Sequence, residues 1–145
     1  MEALINKNLF EDVISHGNKS PANEICGALL GSQTSKEKII KKYKPLTNIS
    51  ERPSVHYIPD PNEWVKVLQQ TSKLNKNAKY DLIGIFHTHP NHQPIASHTD
   101  IYEAGYEGVY WIYSPKYKES KAYYYDGDED NRLFKEITLK VRDKR

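Results

Sequence analysis

The stretch Leu82-Ile83-Gly84-Ile85-Phe86-His87-Thr88-His89-Pro90 decides the fold. Its first five residues form a continuous apolar run, the pattern of a strand buried on both faces. Two histidines at i and i+2 follow on extended chain, so their imidazoles share one face while Thr88 turns to the other. Pro90 ends the strand because it has no N–H for the ladder.

A loop holding Pro90, Asn91 and Pro94 leads into a short helix expected from about Ser97 to Gly105. Ser97 and Asp100, at i and i+3, lie on one face of its first turn. If the loop folds that turn back over the strand end, Asp100 adds a carboxylate to the two imidazoles. Two histidines and one aspartate leave a tetrahedral position open for water, which separates catalytic from structural zinc. Zinc lowers the pKa of such a water to roughly 7. Taken alone, each piece has an ordinary meaning. An H-x-H pair often marks only a strand end, and Ser97-His98-Thr99-Asp100 is equally a helix-capping box.

Working outward, residues 2 to 16 read as a helix, with Ala3, Leu4, Leu9, Phe10, Val13 and Ile14 on one face and Gly17-Asn18 as the stop. Short strands are expected over Ile25–Leu30, Lys38–Leu46 and Val55–Ile58. Asp60-Pro61 marks a helix start, with Asp60 as N-cap, before Trp64, Val65, Val67 and Leu68. Beyond the short helix, Val109–Tyr113, Ala122–Tyr125 and Leu133–Val141 read as a meander in which the tyrosines pack across strands. The fold class is α+β, a mixed α/β chain with helices at the margins of its sheet.

Composition narrows the function. The 145 residues suit one domain, spanning 1–145, large enough to fold without disulfides. The formal charge of +2 lacks the basic excess of a sequence-tolerant nucleic-acid binder, and the run Lys36–Lys44 reads as a strand with one solvated face. No apolar stretch approaches a membrane span, and no signal peptide is evident. The single cysteine, Cys26, lies in an apolar run and reads as a buried, inert thiol of a cytoplasmic protein.

The joint spacing H-x-H-x7-S-x2-D resembles the signature of the JAMM, or MPN+, metalloproteases. Asn23-Glu24-Ile25-Cys26-Gly27-Ala28-Leu29-Leu30-Gly31 is similar to that family's E-x-C-G-x-L-x-G segment, and Tyr57-Ile58-Pro59-Asp60-Pro61 also fits. The resemblance spans roughly residues 5 to 140, nearly the whole chain. It implies an MPN-like, mostly antiparallel mixed sheet flanked by helices, similar in layout to cytidine deaminases. It also implies one zinc per chain held by His87, His89 and Asp100, with Glu24 as general base and Ser97 steadying an oxyanion. Without it, Glu24 is only an acid beside a strand. Two departures stand out: Thr88 occupies a position often held by Ser, and Ala96 rather than Pro precedes Ser97, with Pro94 two residues earlier.

The resemblance implies a peptidase acting at the C-terminal tail of a ubiquitin-like or sulfur-carrier protein, in a compact prokaryotic form. A non-catalytic MPN-type interaction module is the alternative, disfavoured because all five key side chains are present. A nucleic-acid-associated hydrolase is a third reading, disfavoured by the weak charge. His92 and His98, outside the motif, are expected to be solvated or at a substrate edge. His56 and His16 show no partner pattern.

Overall fold

The computed structural model describes residues 1–143, so the last two positions of the expected domain span 1–145 lie outside it. The chain opens with β1 (Glu2–Asn6) and α1 (Lys7–Gly17). Next come β2 (Cys26–Gln33), β3 (Glu37–Leu46) and α2 (Pro61–Leu68). β4 (Asp81–Thr88) and α3 (His98–Tyr102) follow. β5 (Gly108–Ser114), β6 (Glu119–Tyr125) and β7 (Phe134–Arg142) complete the fold.

The strands run in the order β1-β3-β2-β4-β5-β6-β7, and pairing of β1 with β7 closes them into a barrel. The sheet is mixed. β2–β3, β2–β4, β5–β6 and β6–β7 are antiparallel, whereas β1–β3, β1–β7 and β4–β5 are parallel. Closure removes the exposed edges that an open sheet would have to protect.

Three expectations need correction. Residues 2–6 form a strand, not the first turns of a helix. Ala3, Leu4 and Ile5 are all buried, which suits a strand held between β3 and β7. The helix begins only after Asn6, whose Oδ1 accepts the Leu9 N–H at 2.8 Å. No strand forms over Val55–Ile58. Segment 47–60 is a loop tied by one bridge, Asn48 to Pro59, with Pro53 and Pro59 unable to donate to a ladder. The third helix is also shorter than expected, stopping at Tyr102.

The central strands β2, β4 and β5 are covered on both faces, as the apolar run of β4 foretells, whereas β7 leaves one face to solvent. One face packs Leu29, Phe86 and Trp111 with Val13 of α1. The other packs Cys26, Ala28, Leu30 and Leu82 with Val67 and Leu68 of α2. Trp111 meets Phe86 edge-on, with centroids 4.9 Å apart, and Phe10 stacks on it at 5.5 Å. Such aromatic pairs add about 0.5–1.5 kcal/mol beyond burial. Gly84 lets β5 approach β4: a Cβ there would lie 1.7 Å from the Val109 carbonyl oxygen. The result is a fixed platform on which the C-terminal end of β4 is set. Among the described residues no helix is long and apolar enough to cross a membrane.

Candidate metal centre

The end of β4 delivers His87 and His89 to one point. Cys26 of β2 pairs with His87, and Ile112 of β5 pairs with it on the other side. Two residues on, the His89 N–H donates to the Tyr113 carbonyl at 2.9 Å. Strand alternation sends Thr88 away from the two imidazoles, and its Oγ1 accepts the Ile25 N–H at 2.9 Å. His87 is fully buried and His89 is 6% exposed.

α3 supplies the third group. Ser97 Oγ accepts the Asp100 N–H at 3.0 Å, and Asp100 Oδ2 accepts the Ser97 N–H at 2.9 Å. The capping box and the ligand set are therefore the same structure, since the cap fixes the carboxylate that faces the histidines. Asp100 Oδ1 lies 3.2 Å from His87 Nε2, and Oδ2 lies 3.0 Å from His89 Nε2. The two Nε2 atoms are 3.3 Å apart.

These spacings fit a metal ion. A tetrahedral zinc with ligands at about 2.0–2.1 Å requires donor atoms roughly 3.3–3.4 Å apart. His87, His89 and Asp100 are the group of the described residues whose donor atoms could hold one ion. His89 Nδ1 is 2.9 Å from the Gln93 carbonyl, an acceptor, so Nδ1 carries a proton and Nε2 is the nitrogen turned toward Asp100 and a prospective ion. Tyr57 stacks on His87 with centroids 4.5 Å apart, restraining that ring. His87 Nδ1 is buried with no hydrogen-bond partner.

Glu24 lies two residues before β2 and is 7% exposed. Its Oε1 is buried without a hydrogen-bond partner. Burial raises its carboxyl above the usual range, and nearby His87 and His89 offset part of that rise. Burial also works against the charged forms of Asp100 and His89, but their mutual contact prevails. Asp100 is held well below the ordinary carboxylate range by both imidazoles and the Ser97 N–H. His89 is raised by its bonds to Asp100 and the Gln93 carbonyl.

Two hollows flank this cluster. A cleft of about 530 Å³ is lined by Glu24, His89, Ser97, Val55, Ile95 and His92. An apolar pocket of about 330 Å³, which Asp100 lines, is walled by Tyr57, Trp64, Ile85, Tyr106 and Tyr110. Ser97 is exposed at the cleft, as are His92 and His98 at the surface nearby. Cys26, beneath the site, is buried, and burial pushes its thiol up to about 12.

Sequence reasoning missed His56. Its Nε2 lies 2.7 Å from Glu103 Oε1 and its Nδ1 lies 2.8 Å from Ser50 Oγ, tying the 47–60 loop to the end of α3. No local pattern around His56 signals these distant partners.

Comparison with known proteins bears on the family and the fold. Residues 6–125 match the family described as prokaryotic homologs of the JAB domain. A desampylase of Haloferax volcanii is 32% identical over 136 residues, covering 90% of each chain. A protein of Desulfitobacterium hafniense, solved in solution, matches with a TM-score of 0.79 at 23% identity, covering 98% of this chain and 94% of that one. A JAB1/MPN domain protein from Archaeoglobus fulgidus matches with a TM-score of 0.57 at 15% identity, over 96% and 95% of the two chains. At those identities the two structures speak for the fold alone.

Proposed function

Because this chain belongs to the JAMM/MPN family, as one of the prokaryotic homologs of the JAB domain, we propose that it is a zinc-dependent metallopeptidase. It hydrolyses an amide or isopeptide bond at the C-terminal tail of a ubiquitin-like or sulfur-carrier protein. One observation carries the reading. Two imidazoles and a carboxylate converge at ion-ligand spacing, and one of them, His89, lines a cleft together with Glu24, a buried carboxylate whose Oε1 has no partner. The name of the Haloferax relative, a desampylase, points to removal of a ubiquitin-like modifier and supports the substrate class.

His87, His89 and Asp100 would hold one zinc per chain. When bound, zinc polarises the scissile carbonyl and makes a water nucleophilic near neutral pH. Glu24 takes the proton of the attacking water and returns it to the leaving amine. Its raised pKa brings it closer to the working pH, where general acid–base transfer is most effective. Ser97 uses one lone pair to accept the Asp100 N–H, and its hydroxyl proton remains free to donate to the developing oxyanion. An extended tail reaches these groups through the cleft.

The test is cleavage of ubiquitin-like and sulfur-carrier tail conjugates by the zinc-loaded protein, with Glu24→Gln alongside. Wild-type cleavage with a loss of about 10²–10⁴-fold in the variant is expected. Zinc bound by both proteins with cleavage by neither would replace the peptidase reading with that of a non-catalytic MPN-type interaction module.

A further inference from the structure

The ladder of β2 begins at Cys26, so Glu24 stands outside the sheet. Ile25 is still tied to β4, with its N–H on Thr88 Oγ1 and its carbonyl on the Thr88 N–H. One residue earlier, both backbone groups of Glu24 turn to the 47–60 loop. Its N–H donates to the Pro53 carbonyl, and its carbonyl accepts from Asn48 Nδ2 at 3.0 Å. The side chain adds no anchor through Oε1, which has no partner. Where the Glu24 carboxylate sits therefore depends on this loop.

Asn48 is the point on which the loop turns. Besides the Glu24 carbonyl, its Nδ2 donates to the His56 carbonyl at 3.0 Å. Its Oδ1 accepts the N–H groups of Ser50 and Ile58, each at 3.0 Å. Two donors and two acceptor lone pairs are the full capacity of a carboxamide, and all are used. The network also fixes its orientation, since a flipped amide would face two carbonyls with its oxygen and two N–H groups with its nitrogen. From His56 the connection continues through Glu103, the C-cap of α3, to the helix that carries Asp100.

We infer that Asn48 is a positioning residue, which sets Glu24 against the His87–His89–Asp100 cluster by clamping its backbone to the 47–60 loop. The inference rests on the peptidase reading for the role of Glu24. Reacting groups displaced by about 1 Å can lose roughly 10²-fold in rate. A positioning residue acts only through the group it places, and this gives a test that loop stability alone does not imitate.

The experiment is a double-mutant cycle on the zinc-loaded full chain. Asn48→Asp keeps the acceptor and removes both donors, whereas Asn48→Ala removes all four bonds without adding charge. Each is made alone and with Glu24→Gln, and assayed on a conjugate that the wild type cleaves. Both variants are expected to keep their zinc and KM and to lose about 10–10²-fold in kcat. That loss should disappear in the Glu24→Gln background, because coupled residues are non-additive. An unchanged kcat, or the same loss in both backgrounds, overturns the inference.

Amide exchange supplies a readout independent of activity. The Glu24 N–H, although outside the ladder, is expected to be protected in the wild type and to exchange faster in either Asn48 variant, while β4 stays protected. Unprotected exchange in the wild type overturns the inference even if neither variant folds. If the wild type cleaves no conjugate, the peptidase reading fails and this exchange result alone decides whether Asn48 holds Glu24.

Discussion

Ser97 and Asp100 hold each other twice, through Oγ to N–H at 3.0 Å and N–H to Oδ2 at 2.9 Å, and the same Oδ2 lies 3.0 Å from His89. A helix cap thus orients a candidate metal ligand. Ser97→Ala removes the cap and should cost about 1 kcal/mol of stability. Loosening the carboxylate should weaken zinc binding by about 10–10²-fold, the usual effect of losing an outer-shell partner. Competition with a chromophoric chelator measures the second effect. Unchanged zinc affinity would mean that the cap serves the helix alone.

Metal content separates the proposed ligand set from the proposed general base. His89→Ala and Asp100→Ala each remove one of the three candidate ligands, so neither should retain stoichiometric zinc after dialysis. Glu24→Gln should retain it and remain folded, because Glu24 is not in the converging group. One zinc per chain in either ligand variant would overturn the assignment.

The metal-free protein should have an unusual dependence of stability on pH. Folded His89 holds its proton more tightly than the unfolded chain does, so its contribution is complete below about 6.5 and disappears as pH rises through the folded value. Raised Glu24 acts in the same direction, from about 4.3 upward. Depressed Asp100 is opposite: its contribution is present above about 3.9 and lost as pH falls. Calorimetry in chelator should therefore show the melting temperature falling as pH rises above about 6.5. With zinc, which needs neutral imidazoles, it should rise over the same window. A metal-free protein that gained stability there would contradict the described cluster.

What could be read from the sequence follows the range of the interactions involved. β4, the capping box and the burial of Cys26 rest on local pattern, and each lies where local pattern places it. His87 and His89 converge because strand alternation alone dictates it. β1 could not be read this way. Ala3, Leu4 and Ile5 fit a helical face as well as a strand, and only pairing with β3 and β7, far along the chain, decides between them. Val55–Ile58 reads as a strand for a related reason, since Val55 and Ile58 are apolar but stand exposed beside the site. Barrel closure, the partners of His56 and the hydrogen bonds of Asn48 are all long-range or irregular. Glu24 stands out only through the family resemblance, because nothing local marks an acid as buried.

Thr88 tests how far the platform beneath the site reaches into it. Its side chain points away from the imidazoles, yet its Oγ1 is the acceptor for the Ile25 N–H, next to Glu24. Thr88→Val keeps the shape and the branched carbon but strands that N–H without a partner. A fully buried unsatisfied donor costs about 1–3 kcal/mol, and this half-buried one should cost toward the lower end, about 1 kcal/mol, with a matching drop in melting temperature. Thr88→Ser keeps an acceptor and should recover most of that loss. The histidines stay on their strand in both variants, so zinc content should not change. If Thr88→Val were as stable as wild type, the bond between β4 and the entry to β2 would not be what holds this corner together.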